Sequence, residues 1–122
     1  MAGHPEYNAH IEEVHHLQKI DAPSGTAVSL ANDIMFENEN ISSWIHKEEE
    51  NPKTTEGQIG VTSYRKDGVP GTHIISYNSN IDQIEIKHTA HNRMGFALGA
   101  VIAAEWIEKK KGIYTMQDVI KL

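Results

Sequence analysis

His15, His16, Lys19 and the run Ser24-Gly25-Thr26 fall within one short stretch, EVHHLQKIDAPSGTA over residues 13–27, and these residue types can move protons and hold an anion. An imidazole exchanges protons near neutral pH. The first amides of a helix are donors at the positive end of its dipole, so a carboxylate or phosphate binds there, with the Thr26 hydroxyl adding a donor and Lys19 a positive charge. The chemistry indicated is acid-base work on a small anionic substrate rather than on a polymer. Each piece also has a plain structural reading, since Ser-Gly-Thr before a helix is a common cap and a His-His pair is ordinary on a polar strand. Their joint occurrence in one unit favours the ligand reading.

These side chains need a strand, a turn and a helix to bring them together. Residues 7–18 lack Gly and Pro and carry Ala9, Ile11 and Val14 among polar residues, which predicts an exposed or half-buried strand. Strand alternation then places His15 and Lys19 on one face, and His16 with Gln18 on the other. The chain turns through Asp21-Ala22-Pro23, where Pro23 keeps Ala22 out of the helical region, and Ser24 is a good N-cap. Ala27, Val28, Leu30, Ala31, Ile34 and Met35 recur at helical spacing and predict a helix over residues 25–37. Its start lies just past His15 and Lys19, with Gly25 letting a ligand approach the backbone closely.

Beyond that unit, residues 38–56 read as an irregular connection with a short amphipathic turn around Ile41, Trp44 and Ile45, and the Glu48-Glu49-Glu50 triplet faces solvent. Strands are expected over residues 58–65, 72–79 and 83–89, and a long helix over residues 93–110 that covers the sheet, with Lys109, Lys110 and Lys111 opposing its dipole. A last short helix should begin after Thr115, with Asp118 placed for a capping-box-like contact. The expected fold is α/β of the α+β type, one mixed four-stranded or larger sheet with helices on one face and the other face available for subunit packing.

The 122 residues suit a single domain and are too few for a dinucleotide-binding domain plus a substrate domain. The absence of Cys excludes disulfides, a thiol nucleophile and cysteine-ligated zinc. A formal net charge of -6 argues against nucleic-acid binding, so a substrate anion must be drawn by local charge. No apolar run reaches membrane-spanning length and no signal segment opens the chain, so a cytoplasmic protein without a membrane partner is expected. His73, His88 and His91 invite a metal, but no ligand spacing such as H-E-x-x-H accompanies them and no metal site is expected. Arg93 can clamp a carboxylate or tie the start of the long helix to the sheet.

The run His15-His16-x-x-Lys19-x-Asp21-Ala22-Pro23-Ser24-Gly25-Thr26-Ala27 resembles the signature of the 4-hydroxy-tetrahydrodipicolinate reductase (dihydrodipicolinate reductase) family of the diaminopimelate route to lysine. The stretch from His88 through Arg93, Phe96 and Gly99 to Ala100, the Gly71-Thr72-His73 triplet before it, and the closing segment from Gly112 to Asp118 resemble later parts of the same family. The resemblance covers the substrate-binding half; no G-x-G-x-x-G is present, so the dinucleotide-binding half is expected to be absent. It implies reduction of a cyclic dicarboxylate with NADH or NADPH, the cofactor being held by the missing N-terminal domain and none by this chain. It also implies a homotetramer assembled through the sheet. By resemblance His15 is the proton donor or acceptor, Lys19 a proton donor, and His16, Ser24, Gly25 and Thr26 bind substrate, Gly25 with Thr26 taking one carboxylate. The chain alone is then expected to bind without reducing; the competing reading is a non-catalytic self-assembly module that keeps a relic dicarboxylate site.

Overall fold

A computed structural model describes residues 1–120. In chain order the elements are β1 (Asn8–His15), α1 (Gly25–Glu37), β2 (Ser43–Glu48), β3 (Gln58–Arg65), β4 (Gly71–Asn78), β5 (Gln83–Ala90), α2 (Met94–Ile107) and α3 (Met116–Ile120). The chain divides into two compact units, Met1–His91 and Asn92–Leu122.

The first unit is an α/β layer pair built on a five-stranded mixed sheet of order β2-β3-β1-β4-β5. β1 and β2 both pair with β3 in parallel, while β4 pairs antiparallel with β1 and β5. The parallel part needs crossovers, and α1 supplies the one from β1 to β2. The chain then steps back from β2 to β3, and Asn51 in that connection meets Thr62 on the face opposite α1. Reversing both the direction and the face keeps the same crossover hand.

Register sorts the α1 face of the sheet into rows that change in character along the strands. Trp44, Ile59, Ala9, Tyr77 and Ile84 align in one row, and His46, Val61, Ile11, Ile75 and Ile86 in the next. Ala27 and Ala31 of α1, one turn apart and without side chains long enough to hold the helix off, pack against Ala9, Ile11, Ile59 and Val61 to make the core. The following row is polar: Glu48, Ser63, Glu13, His73 and His88. Its centre is as buried as the apolar rows, with Glu13 at 0 % and Ser63 at 1 % exposure.

Several boundaries differ from the sequence expectations. β1 stops at His15 rather than running to residue 18, because the His15 carbonyl accepts from Lys66 N and the chain then turns, Lys19 N donating to the His16 carbonyl. The connection over residues 38–56 holds a real strand, β2, paired along its length with β3. Its residues are half-buried or exposed, so no alternation marks it. The long helix is shorter than expected, and Lys109 to Lys111 lie past its end, where Lys110 Nζ sits 3.9 Å over the Trp106 ring. In the second unit, α3 begins as expected, with Asp118 Oδ2 accepting from Thr115 N at 2.7 Å and from its hydroxyl at 2.9 Å. Among the described residues no helix is long and apolar enough to cross a membrane.

Candidate active site at the polar end of the sheet

The polar row is organised by one carboxylate. Alternation along β1 turns Ala9, Ile11, Glu13 and His15 toward α1, so Glu13 occupies a core position. A buried charge persists only when it is paired and hydrogen-bonded. Glu13 meets that demand on every side. Arg65 Nη1 and Nη2 donate to Oε2 and Oε1, each at 3.0 Å, Ser24 N donates to Oε1 at 3.0 Å, and His15 Nδ1 lies 2.5 Å from Oε2. Burial works against the ionised form, but the hydrogen bonds from Arg65, Ser63 and His15 outweigh it and hold the Glu13 carboxyl below the usual carboxylate range.

Arg65 reaches this carboxylate because the parallel register sets it beside His15. Its remaining donors organise the loop after β1: Nε donates to the Lys19 carbonyl at 3.3 Å and Nη2 to the Asp21 carbonyl at 2.7 Å. Lys19, thus anchored by its own backbone, points its ammonium at Asp21, with both carboxylate oxygens 2.8 Å from Nζ. That hydrogen bond lowers the pKa of the Asp21 carboxyl. An ammonium has three donors, so one N–H of Lys19 is left for a ligand.

The loop closes through a cis Ala22–Pro23 peptide bond into Ser24, the N-cap of α1, whose Oγ accepts from Ala27 N at 3.2 Å. The same oxygen lies 2.9 Å from His73 Nε2. Burial first, and the neighbouring His15 second, push the His73 pKa down to about 4, so its ring is neutral at pH 7. Ser24 Oγ and His73 Nε2 share one hydrogen bond, whose direction follows the tautomer of the neutral ring. His15 and His73 meet edge to face with centroids 5.1 Å apart. Gly25 and Thr26 are exposed, and a Cβ at Gly25 would meet nothing within 4 Å. Helix geometry gives their amides no intrahelical acceptor, so the helix start is open to an anion.

His15, Lys19, Ser24, Gly25 and Thr26 thus gather at the end of β1 and the start of α1. The expectation that strand alternation aligns His15 with Lys19 does not hold, because Lys19 lies beyond the strand and is placed by Arg65. His16, half-buried in the turn, is likewise not governed by alternation. Glu13, Arg65 and the role of His73 escaped the sequence reading. Glu13 carried a signal, a charged residue two positions before His15 on the apolar face of a strand. Arg65 carried none, since it stands 52 residues from Glu13 and only the pairing of β1 with β3 joins them. Arg93 is the N-cap of α2, where Asn92 Oδ1 accepts from Met94 N at 2.8 Å. Among the described residues no group of His, Cys, Asp or Glu is arranged to hold a metal ion.

Comparison with known proteins identifies the family of the chain. The family model described as dihydrodipicolinate reductase, C-terminus, matches residues 1–120. A 4-hydroxy-tetrahydrodipicolinate reductase from Christiangramia forsetii is 49% identical over 120 residues, covering 98% of this chain and 48% of the relative. The enzyme of that name from Methanosarcina barkeri is 44% identical over 119 residues, covering 96% of this chain and 44% of the relative. The chain therefore spans about half the length of these curated relatives. A solved structure of dipicolinate-bound dihydrodipicolinate reductase from a Paenisporosarcina species shares the fold, with a TM-score of 0.64 and 24% identity, over 95% of this chain and 46% of that one.

Proposed function

We infer that this chain, which belongs to the dihydrodipicolinate reductase family as its C-terminal domain, is the substrate-binding half of an oxidoreductase that converts 4-hydroxy-tetrahydrodipicolinate to tetrahydrodipicolinate in lysine biosynthesis. The observation that carries it is the convergence of His15, Lys19 and the open Gly25-Thr26 helix start at one end of the sheet.

A dicarboxylate places one carboxylate on the Gly25 and Thr26 amides and the Thr26 hydroxyl, with His16 and the Ser24 turn beside it. Lys19 meets the ligand with the N–H that Asp21 leaves over. His15 has its Nδ1 engaged by Glu13, so proton exchange with the ligand takes place at Nε2. Removing either proton carrier removes general acid-base assistance, typically worth about a hundredfold or more in rate.

The reducing equivalent comes from NADH or NADPH, and the residues of this chain do not fit either. The β1–α1 connection contains Pro23 and its Ser24 amide is already committed to Glu13, so it lacks the glycine-lined turn a pyrophosphate occupies. The cofactor belongs to the other half of the enzyme, and the assembled enzyme is a homotetramer built through the sheet.

Calorimetric titration with pyridine-2,6-dicarboxylate tests the site. The parent chain binds it, and the double variant His15→Ala, Lys19→Ala binds at least tenfold more weakly. Identical responses from the two would sink the proposal and leave a self-assembly module.

A further inference from the structure

The geometry points to Glu13 and Arg65 as a positioning pair that fixes the ring orientation and tautomer of His15 and, through the same two side chains, the loop that carries Lys19 and the cap that starts the anion cradle. This rests on the reading of His15 as the proton carrier. The bonds of Glu13 leave little freedom. Arg65 and Ser24 N occupy Oε1, while Arg65 and His15 Nδ1 occupy Oε2. A carboxylate that is ionised has only acceptors, so the proton between Glu13 and a neutral His15 is on Nδ1. Nε2 then carries the lone pair, in the state ready to take a proton, and Gly71 on β4 leaves room there because it has no Cβ. A carboxylate in this relation to a catalytic imidazole sets which nitrogen reacts.

Arg65 extends the control sideways. Its guanidinium spans Glu13, the Tyr64 carbonyl, the Lys19 carbonyl and the Asp21 carbonyl, which a planar fork of five donors can do and a lysine ammonium cannot. One buried carboxylate and one guanidinium thereby tie the strand end, the loop and the helix start into a single rigid frame. Neither needs to touch the ligand.

Two substitutions separate the two jobs. In Glu13→Gln the side-chain oxygen can satisfy Ser24 N and Arg65, which turns the amide NH2 toward His15; Nδ1 must then accept, and the ring proton moves to Nε2. In Arg65→Lys the carboxylate remains and the tautomer is kept, but the loop loses its carbonyl anchors. Nitrogen-15 NMR of the histidine rings, in the unliganded chain at a pH where they are neutral, should show His15 protonated on Nδ1 in the parent and in Arg65→Lys, and on Nε2 in Glu13→Gln. Titration with pyridine-2,6-dicarboxylate should show at least a fivefold loss of affinity in Arg65→Lys. A parent His15 protonated on Nε2 overturns the inference without any variant having to fold, and so does an unchanged tautomer in a folded Glu13→Gln or an unchanged affinity in Arg65→Lys. The ring signals need no ligand, so a parent that fails to bind the dicarboxylate counts against the proposed function and not against the tautomer assignment.

Discussion

His73 is the residue whose behaviour follows most directly from its surroundings. Its ring is desolvated against β1 and α1 and faces His15, His88 and Lys19 as like charges when protonated, with Glu13 favouring the proton. The folded pKa of about 4 lies below the 6.5 of an unperturbed histidine, so between those values the unfolded chain binds the proton that the folded chain refuses. The stability from the neutral ring is fully present above about pH 6.5 and is lost as pH falls toward about 4. His73→Asn keeps a hydrogen-bonding group for Ser24 Oγ, in either direction, and does not titrate. The expected outcome is a melting temperature that falls less between pH 6.5 and 4 in the variant than in the parent, checked by calorimetry across that window. Parallel curves would show that His73 protonates freely in the fold. Among site residues, the sequence displayed His15, Lys19 and Ser24 because their setting is local, within one strand-turn-helix unit. Glu13 and Arg65 stayed hidden because their meaning is non-local, a charge pair that exists only once β1 and β3 align.

The elements show the same division between local and non-local signals. The start of α1 could be read from Pro23, the Ser24 cap and the apolar spacing, and the helix spans Gly25–Glu37 as expected. β2 could not, because a half-buried edge strand gains its order from parallel pairing with β3 rather than from its own pattern. β4 contributes to the site through an absence that the sequence does show. Its first residue is Gly71, and a Cβ there would come 3.1 Å from His15 Nε2 and 3.3 Å from His15 Cδ2. Those contacts are too tight to leave the ring where it is, though a small shift relieves them. Gly71→Ala should therefore cost on the order of 1 kcal/mol in stability, as mild overpacking does. Its larger effect should fall on the site, since the atom crowded is the one assigned to proton exchange. Dicarboxylate affinity in the chain, and turnover when the residue is changed in a complete reductase of this family, are expected to drop at least tenfold. A variant with unchanged affinity and turnover would place the reacting nitrogen elsewhere.

Across the whole molecule, apolar surface is distributed in a way that a lone chain does not satisfy. α2 carries Phe96, Leu98, Val101 and Ile102 with Ala and Gly between them, yet none of its residues is buried. A helix apolar on all sides normally lies inside a larger body. In the other unit, β5 is an edge strand with one edge unpaired, and Ile86, in the same row as the core residues Ile11 and Val61, is 61% exposed where α1 does not reach. Exposed patches and open edges of this kind mark surfaces that meet a partner. Self-association along the open β5 edge, part of the sheet through which the tetramer is proposed to assemble, would cover Ile86 on the α1 side of that strand. At about 25 cal/mol per Å² of apolar surface removed from water, covering even a few such side chains outweighs the charge repulsion of chains that each carry -6. Sedimentation of the chain at micromolar concentration should then report a mass well above 13.7 kDa. Ile86→Lys should move the distribution toward the monomer while far-ultraviolet circular dichroism stays the same, because the side chain is exposed in the single chain and its loss leaves the core of Ala9, Ile11, Ile59 and Val61 intact. A parent chain that sediments as a monomer would assign the covering of these surfaces to the dinucleotide-binding half instead of to further copies of the sheet.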